Sequence, residues 1–258
     1  MFEQLRAQQY EIRFLSHAEA ILNGDFPEIE DELQASLVDF RIPITEIIGS
    51  GGGEAQGTQR LRRSLAARHW VKTNFELQKR INGVVRESIS HEVDHVRHLD
   101  RDEGVANVIA MEIEWNNKDP FFDRDLENFK RLHAEGAISV GIIVTRGTSL
   151  QSNMRDLVRR FTVEHNIRSF EDLEALGLDP TRRQKAAVMK QVEREAEPKE
   201  FAEAWTNQFV SDKFGAATTH WQKLIDRVDR GVGNPCPLLL IGLPDTIVTF
   251  DRDARIEE

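Results

Sequence analysis

Apolar residues recur at helical spacing through the first 70 residues of the chain. This spacing indicates mixed helical character in residues 4–22, a second helix in residues 26–40, and a strongly helical, Arg-rich segment from residue 58 to about residue 70. The run Ser50-Gly51-Gly52-Gly53 separates the last two segments and is typical of a flexible break. The N-terminal part is therefore predicted to be largely helical.

The pattern changes from helical to extended after Phe75. Asn82-Gly83 stands between mixed apolar and polar residues, which is a strong short-range signal for a β-hairpin. Apolar residues then follow at even spacing, on one side of the second strand: Val85, Ile89 and Val93. We therefore expect a hairpin whose second arm enters a sheet.

Two nearly continuous apolar runs predict strands that are buried on both faces, residues 106–115 (ANVIAMEIEW) and residues 137–145 (AISVGIIVT). A helix is predicted between them, with Asp119 as its cap, Pro120 as its first residue and Gly136 at its end. Its apolar face is formed by Phe122, Leu126, Phe129 and His133. The order strand, strand, helix, strand after a long helix predicts an α/β sheet core.

The remainder of the chain is mostly helical in pattern. Helices are predicted at residues 155–164, 180–196, 199–210 and 218–230, the last with Thr218 as its cap, followed by a short strand at residues 237–242. We expect residues 1–258 to form a single domain, with a core at about residues 57–147 and a C-terminal helical and strand part at about residues 150–250.

Composition narrows the class of protein. The 258 residues contain no run of about 18 apolar residues, so no transmembrane helix and no membrane partner are expected. The first residues lack the basic start and long apolar stretch of a secretory signal. The single cysteine, Cys236, excludes an internal disulfide and suits a reducing compartment, so a cytoplasmic location is expected.

Charge is distributed unevenly along a chain whose formal net charge is −10. Residues 57–101 carry ten arginines and lysines against five acidic residues, which predicts a face that binds a polyanion. Arg60, Arg62 and Arg63 on the predicted helix, with the Gly51-Gly52-Gly53 loop, are candidates for contact with a phosphate backbone. The alternative is a linker followed by an amphipathic helix with a solvated basic face.

Two acidic residues end the first buried strand. Glu112 and Glu114 point to the same side because side chains alternate along a strand. Two buried carboxylates repel each other, and a hard divalent cation such as Mg²⁺ would compensate this repulsion. Asp94, on the hairpin arm that enters the sheet, is the expected third carboxylate. The alternative is a strand end that runs into solvent with both acids hydrated.

The stretch HEVDH, residues 91–95, matches the H-E-x-x-H pattern of zinc metalloproteases. Those enzymes need the two histidines one turn apart on a helix, whereas this stretch has strand-like alternation and follows an Asn-Gly turn. A metalloprotease is therefore disfavoured. On the strand interpretation His91 and His95 share the face of Val93, opposite Asp94, and are expected to pack or to contact phosphate rather than to bind metal.

Longer stretches resemble a known family. EIEWNNKDPFFDRDLENF followed by AISVGIIVTRG, and the later FGAATTHWQKLIDRVDRGVGNPCPLLLIGLP, are similar to type II restriction endonucleases of the BglII/BamHI group. The resemblance covers about residues 50–147 and 213–244. It implies a PD-(D/E)xK nuclease core, which is a mixed β-sheet flanked by helices, here with added C-terminal helices.

The resemblance also implies an activity and partners. It implies a homodimer that cuts a short palindromic site in double-stranded DNA with Mg²⁺, and a companion DNA methyltransferase. The family's usual lysine is absent, because Glu112-Ile113-Glu114 is the E-x-E form of the motif. By this resemblance Asp94 and Glu112 bind the metal with the carbonyl of Ile113, and Glu114 is the general base or orients the attacking water.

Some assignments stay open at the level of the sequence. Asp100 or Asp102 is an alternative to Asp94 as the first metal-binding acid, and Glu76 is a possible additional acid. Further candidates for DNA contact are Lys118, Thr218, Thr219 and His220. The last three have an alternative interpretation as a plain helix cap with a surface histidine.

Rival functions come from other classes. A repair or nicking nuclease would share the same core, and a catalytically inactive DNA-binding protein would share the fold without the chemistry. The intact acids at residues 94, 112 and 114 argue against the second of these.

Overall fold

The computed structural model describes residues 1–49, 55–99 and 107–250. The predicted glycine-rich contact loop at residues 51–53 and the alternative acids Asp100 and Asp102 lie outside the described residues. The structure is a mixed α/β fold in which helices cover both faces of a central sheet. This architecture confirms the predicted fold class.

The central sheet has six strands in the order β1-β7-β6-β5-β4-β3. Its members are β1 (Glu11–Leu15), β3 (Trp70–Ile81), β4 (Val84–His98), β5 (Val108–Glu114), β6 (Val140–Arg146) and β7 (Leu238–Leu243). β5, β6 and β7 run parallel, whereas the outer strands pair antiparallel. A separate parallel pair joins β2 (Ile42–Pro43) to β8 (Val248–Thr249). The sheet thus combines strands from both ends of the chain.

The described residues form eleven α-helices and one 3-10 turn, Asp245–Ile247. The helices are α1 (Glu3–Ala7), α2 (Ala18–Asp25), α3 (Glu28–Leu37), α4 (Ile44–Ile48), α5 (Gln56–Ala66), α6 (Phe121–Ala134), α7 (Thr148–Glu164), α8 (Phe170–Ala175), α9 (Arg182–Val192), α10 (Phe201–Phe214) and α11 (Trp221–Val228). None of these described helices combines the length and apolar content needed to cross a bilayer.

The prediction of mixed helical character for residues 4–22 is wrong for residues 11–15. Residues 11–15, EIRFL, form the edge strand β1, which pairs with β7 more than 220 residues later in the chain. This pairing supplies backbone partners that a local helix would otherwise supply, so tertiary context overrides local propensity. The other long helices lie where they are predicted, with ends shifted by up to four residues, except that α7 begins at Thr148 rather than at residue 155.

The predicted hairpin is confirmed. Asn82 and Gly83 have φ angles of 52° and 80°, as a two-residue turn between twisted strands requires. β4 pairs with β5 only at residues 95–98, so the outer part of the hairpin is a two-stranded ribbon that extends beyond the sheet. Val84 and Val85 at its tip are exposed, whereas Val93 is fully buried where the ribbon meets the core.

Helix α6 covers the sheet next to the ends of β4 and β5. Its apolar residues Phe122, Leu126 and Phe129 are fully buried, and Gly136 ends the turn with a φ of 69°, as predicted. The predicted Asp119 cap is wrong, because no side chain caps this helix. The Asp119 carboxylate instead forms an ion pair with Lys223 on α11, with its Oδ2 3.2 Å from Lys223 Nζ.

Candidate active site

The candidate site lies where β4 and β5 diverge. Their pairing ends at His95 opposite Met111, so Asp94 and Glu112 are the next residue on each strand. Glu112 and Glu114 both point towards α6, as alternation along the strand predicts. The end of this buried strand therefore presents carboxylates to one helix and to the edge of the hairpin.

Three acidic side chains are buried together on the α6 side. Glu112 and Glu114 are each 3% exposed, and Asp125 of α6 is 0% exposed. Arg124 Nη2 lies 2.8 Å from Asp125 Oδ1 and 3.7 Å from Glu114 Oε1. Asn117 Nδ2 donates to Glu114 Oε2 at 2.8 Å. One arginine thus faces three acids, which leaves an excess of negative charge in a place with little solvent.

This excess changes the proton affinity of the acids. Burial, and after it the negative charges of Asp125, Asp94 and Glu114, together raise the pKa of Glu112 to about 9. Burial also raises the pKa of Glu114 and of Asp125, whose carboxyls approach closely enough to share a proton. Carboxyls in this state retain protons at neutral pH unless a cation replaces them. The cluster therefore fits a bound divalent cation.

Among the described residues, His91, Glu112 and Asp125 form the group whose ligand atoms lie closest together, all within 4.8 Å of one another. Burial and nearby arginines lower the pKa of His91, so the ring is neutral, which is the form that binds metal. His91 was expected to pack or to contact phosphate. The structure instead places it beside two buried acids, against Asn128 of α6 at 3.0 Å.

Asp94 lies on the outer side of the cluster, and its side chain is 53% exposed. Its Oδ1 is 3.1 Å from Lys72 Nζ on β3. Asp94 lines a cavity of about 420 Å³ with Arg62, Lys72 and Ile113. It is near enough to Glu112 to raise the pKa of that carboxyl. The structure thus brings Asp94 to the rim of the site and also places there a lysine that sequence reasoning missed.

A β-bulge separates the two histidines of HEVDH. Val71 pairs with Val96 and Thr73 with Val93, so β4 holds one extra residue between these pairs. His95 turns to the α5 side, where it lines the same cavity as Arg62, whereas His91 stays on the α6 side. The expectation that both share one face is wrong. Histidines on opposite faces of a strand do not hold one zinc ion as a metalloprotease helix does.

Glu76 lies on the outer ribbon rather than in the carboxylate cluster. It pairs across the ribbon with Ser90 and accepts hydrogen bonds from Gln78 at 2.7 Å and Ser88 at 2.9 Å. These contacts hold the side chain along the ribbon.

The three arginines of α5 have different surroundings. Arg60 forms an ion pair with Glu46 and donates to the Arg41 carbonyl at 2.8 Å, so it fastens α5 to the preceding segment. Arg63 donates to the Gln59 carbonyl of its own helix at 3.3 Å. Arg62 lines the cavity that contains Asp94. Of the three, Arg62 lies nearest to the acids.

The predicted contact residues after β5 and before α11 meet in one place. Lys118 forms an isolated β-bridge with Thr218, and the Thr219 amide donates to the Asn117 carbonyl at 2.8 Å. The predicted Thr218 cap is wrong, because His220 holds the N-cap position of α11. The Thr218 hydroxyl instead donates to the Gly215 carbonyl at 2.7 Å, inside the turn that precedes the helix.

Arg146, at the end of β6, organises this region and was missed by sequence reasoning. Its guanidinium is fully buried and donates to the Trp115 carbonyl at 2.7 Å, to Thr218 Oγ1 at 2.7 Å and to the Thr219 carbonyl at 2.6 Å. Burial lowers its pKa to about 9. A lone arginine at the end of an apolar strand was the available signal. It joins the end of β5 to the start of α11.

Asp125 is the third residue of the site that sequence reasoning missed. It stands three residues after Phe122 and four before Phe129, so it lies on the apolar face of the predicted helix. An acidic residue at such a position is buried next to whatever the helix covers, which here is the end of β5. The signal was present in the helical spacing.

Comparison with known proteins agrees with these features. The family model described as Restriction endonuclease BglII/BglIII matches residues 10–243. A search of curated proteins finds no match. The matched residues include the whole central sheet and the carboxylate cluster. The chain therefore belongs to the BglII/BglIII family of restriction endonucleases, nucleases that act on DNA at specific sites.

Proposed function

We propose that this protein is a Mg²⁺-dependent type II restriction endonuclease that hydrolyses both strands of a short palindromic DNA site as a homodimer. The observation that carries the proposal is the set of buried acids at the end of β5, opposed by one arginine and flanked by Asp94. A homodimer follows from the palindromic site, because two-fold symmetry of the DNA is matched by two-fold symmetry of the protein.

Asp94 and Glu112, with the carbonyl of Ile113, are the proposed Mg²⁺ ligands. Glu112 supports this role because its carboxylate is 3% exposed and faces the negative charges of Asp125 and Asp94. A hard cation with oxygen ligands would compensate this repulsion. When bound, Mg²⁺ supplies polarisation of the phosphoryl oxygen and a lower pKa for the attacking water.

Glu114 is the proposed group that orients or deprotonates the attacking water. Asn117 fixes one of its oxygens at 2.8 Å. Burial raises its pKa, so its carboxylate has a higher proton affinity than an exposed acid would have. A base of raised pKa accepts a proton more readily near neutral pH.

The basic residues around the cavity are the proposed phosphate contacts. Arg62 and Lys72 line it on either side of Asp94, and their charges would offset that of a DNA strand. Lys118, Thr218, Thr219 and His220 form a second, neighbouring contact region, which Arg146 holds in place. A companion methyltransferase that protects host DNA is part of the same proposal.

A digest tests the proposal directly. The purified protein is incubated with unmethylated, phage-sized duplex DNA, with Mg²⁺ or with EDTA, beside the variants Glu112→Ala and Glu127→Ala. Glu127 is an exposed acid on α6 that pairs with Lys130, so its removal is the matched control. We expect discrete, Mg²⁺-dependent fragments from the wild type and the control variant only.

The Glu112→Ala variant should still bind DNA, because Glu112 is not one of the proposed phosphate contacts around the cavity. Full cleavage by this variant would contradict the site assignment. A smear of equal extent in all proteins would contradict sequence-specific cleavage. Nicked but uncut plasmid would identify a nicking nuclease instead.

A further inference from the structure

A second cation position lies on the α6 side of the sheet, next to the proposed Mg²⁺ site. His91 of β4, Glu112 of β5 and Asp125 of α6 each direct one ligand atom into the same space, with all three atoms within 4.8 Å of one another. Three different secondary-structure elements supply these atoms. The arrangement is therefore fixed by the packing of α6 on the sheet and not by a flexible loop.

One buried carboxylate oxygen of this group lacks an ordinary hydrogen-bond donor among the described residues. Asp125 is fully buried, and Arg124 contacts its Oδ1 at 2.8 Å. Its Oδ2 receives no hydrogen bond from an amide, hydroxyl or cationic donor of the described residues. In the metal-free protein a proton shared with Glu114 takes the place of such a donor, and a bound cation would replace that proton.

We infer that His91, Glu112 and Asp125 form a binding site for a divalent transition-metal ion, with Zn²⁺ as its preferred occupant. One imidazole and two carboxylates suit an ion of borderline hardness, whereas Mg²⁺ prefers oxygen ligands alone. Asn128 lies 3.0 Å from the His91 ring nitrogens and holds the ring against α6.

This site is distinct from the proposed Mg²⁺ site. Asp94 and the Ile113 carbonyl belong only to the Mg²⁺ site, and His91 and Asp125 belong only to the Zn²⁺ site. Glu112 is shared. Zn²⁺ binding withdraws Glu112 from Mg²⁺ and inhibits cleavage. This consequence for activity rests on the proposed function, whereas the Zn²⁺ site itself rests on the geometry alone.

Calorimetric titration of the full chain with Zn²⁺, in the absence of DNA and after removal of metal with EDTA, tests the site. We expect one Zn²⁺ per chain in the wild type and at least about a tenfold loss of affinity in His91→Ala and in Asp125→Asn. Asp94→Asn should bind as the wild type does. His98→Ala is the matched control, since His98 lies on the same strand and is exposed.

The absorption spectrum of bound Co²⁺ gives a second measurement, and its visible bands should disappear in His91→Gln if His91→Ala does not fold. Zn²⁺ affinity lost in Asp94→Asn but kept in both His91 variants would overturn the inference, as would the absence of Zn²⁺ binding in the wild type. A protein that binds Zn²⁺ as expected but does not cut DNA with Mg²⁺ would support the inference while contradicting the proposed function.

Discussion

Replacement of Glu112 by glutamine should make the metal-free protein more stable at neutral pH. The amide has nearly the same shape as the carboxyl but never ionises. In the folded protein burial and the neighbouring acids raise the pKa of Glu112 from 4.5 to about 9. The folded protein therefore holds a proton that the unfolded chain releases over this interval. Each rise in pH across the interval favours unfolding of the wild type but not of the variant.

The size of the effect follows from linkage between protonation and folding. The free energy of unfolding falls by about 1.4 kcal/mol per pH unit between the unfolded and folded pKa values. At pH 7 the wild type is about 2.5 units above the unfolded value, so it has lost about 3 kcal/mol. Solvent screening reduces this little, because Glu112 is 3% exposed. The difference between the proteins should vanish near pH 4.5, the unfolded value.

Urea unfolding followed by far-UV circular dichroism, in EDTA at several values between pH 5 and pH 8, measures this difference. Glu127→Gln is the matched control, since Glu127 is 49% exposed and its replacement should change stability by less than about 0.5 kcal/mol. Excess Mg²⁺ should narrow the difference at pH 7, because the cation stabilises only the protein that binds it. Equal stability of the variant and the wild type at pH 7, or a difference that does not change with pH, would refute the electrostatic reasoning.

The remaining predictions concern DNA affinity and stability. Arg62→Ala should flatten the slope of log affinity against log salt by about one in fluorescence anisotropy, because one phosphate contact is lost. Arg63→Ala should leave that slope unchanged, because the Arg63 guanidinium donates to the Gln59 carbonyl of its own helix. Equal slopes for the wild type and both variants would place Arg62 away from DNA. Arg146→Met should lower the free energy of unfolding by about 3 kcal/mol or more, because it removes the buried donor from several carbonyl and hydroxyl oxygens. A loss of less than about 1 kcal/mol, on the order of one such hydrogen bond, would contradict this role. Gly141→Ala should lower the free energy of unfolding by about 1–3 kcal/mol, since the new Cβ would lie 2.5 Å from the buried ring of Phe129. Gly24→Ala should raise the free energy of unfolding by up to about 1 kcal/mol in the same urea titration, because Gly24 lies in a helix and no atom lies within 4 Å of the added carbon. A loss of the same size in both glycine variants would show that the ring contact is not the cause.

The centre of the fold could be predicted because its signals are local. β5 and β6 are short apolar runs, and the Asn82-Gly83 turn fixes the hairpin by its own backbone angles. The carboxylate pair could be predicted for the same reason. Alternation along a strand places Glu112 and Glu114 on one face without reference to any other element.

Features that depend on distant partners could not be predicted. β1 pairs with β7 more than 220 residues later in the chain, and the alternation within EIRFL is too short to outweigh the helical pattern around it. The predicted caps failed for a similar reason. Asp119 and Thr218 are good cap residues in isolation, but the cations of α11 and the buried Arg146 are their actual partners. In both places a contact with a distant residue takes the side chain that local propensity assigns to the cap.

The bulge in β4 shows how one residue can change a site. Without it, His91, Val93 and His95 would lie on one face, as alternation predicts. The extra residue turns His95 to the α5 side and leaves His91 facing the acids of α6. A bulge has no reliable sequence signature, because its position depends on how two strands pair across the ribbon.

The missing lysine of the motif explains the charges around the site. In the E-x-K form the third residue would add a positive charge beside the metal-binding acid. Glu114 adds a negative one instead, so positive charge must come from other elements. Arg124 of α6 contacts Glu114 and Asp125, and Lys72 of β3 contacts Asp94. These two cations still leave the acids in excess, because Glu112 keeps a pKa of about 9 in their presence. The described side chains thus leave net negative charge at the site, and the residues that set this charge lie partly outside the motif.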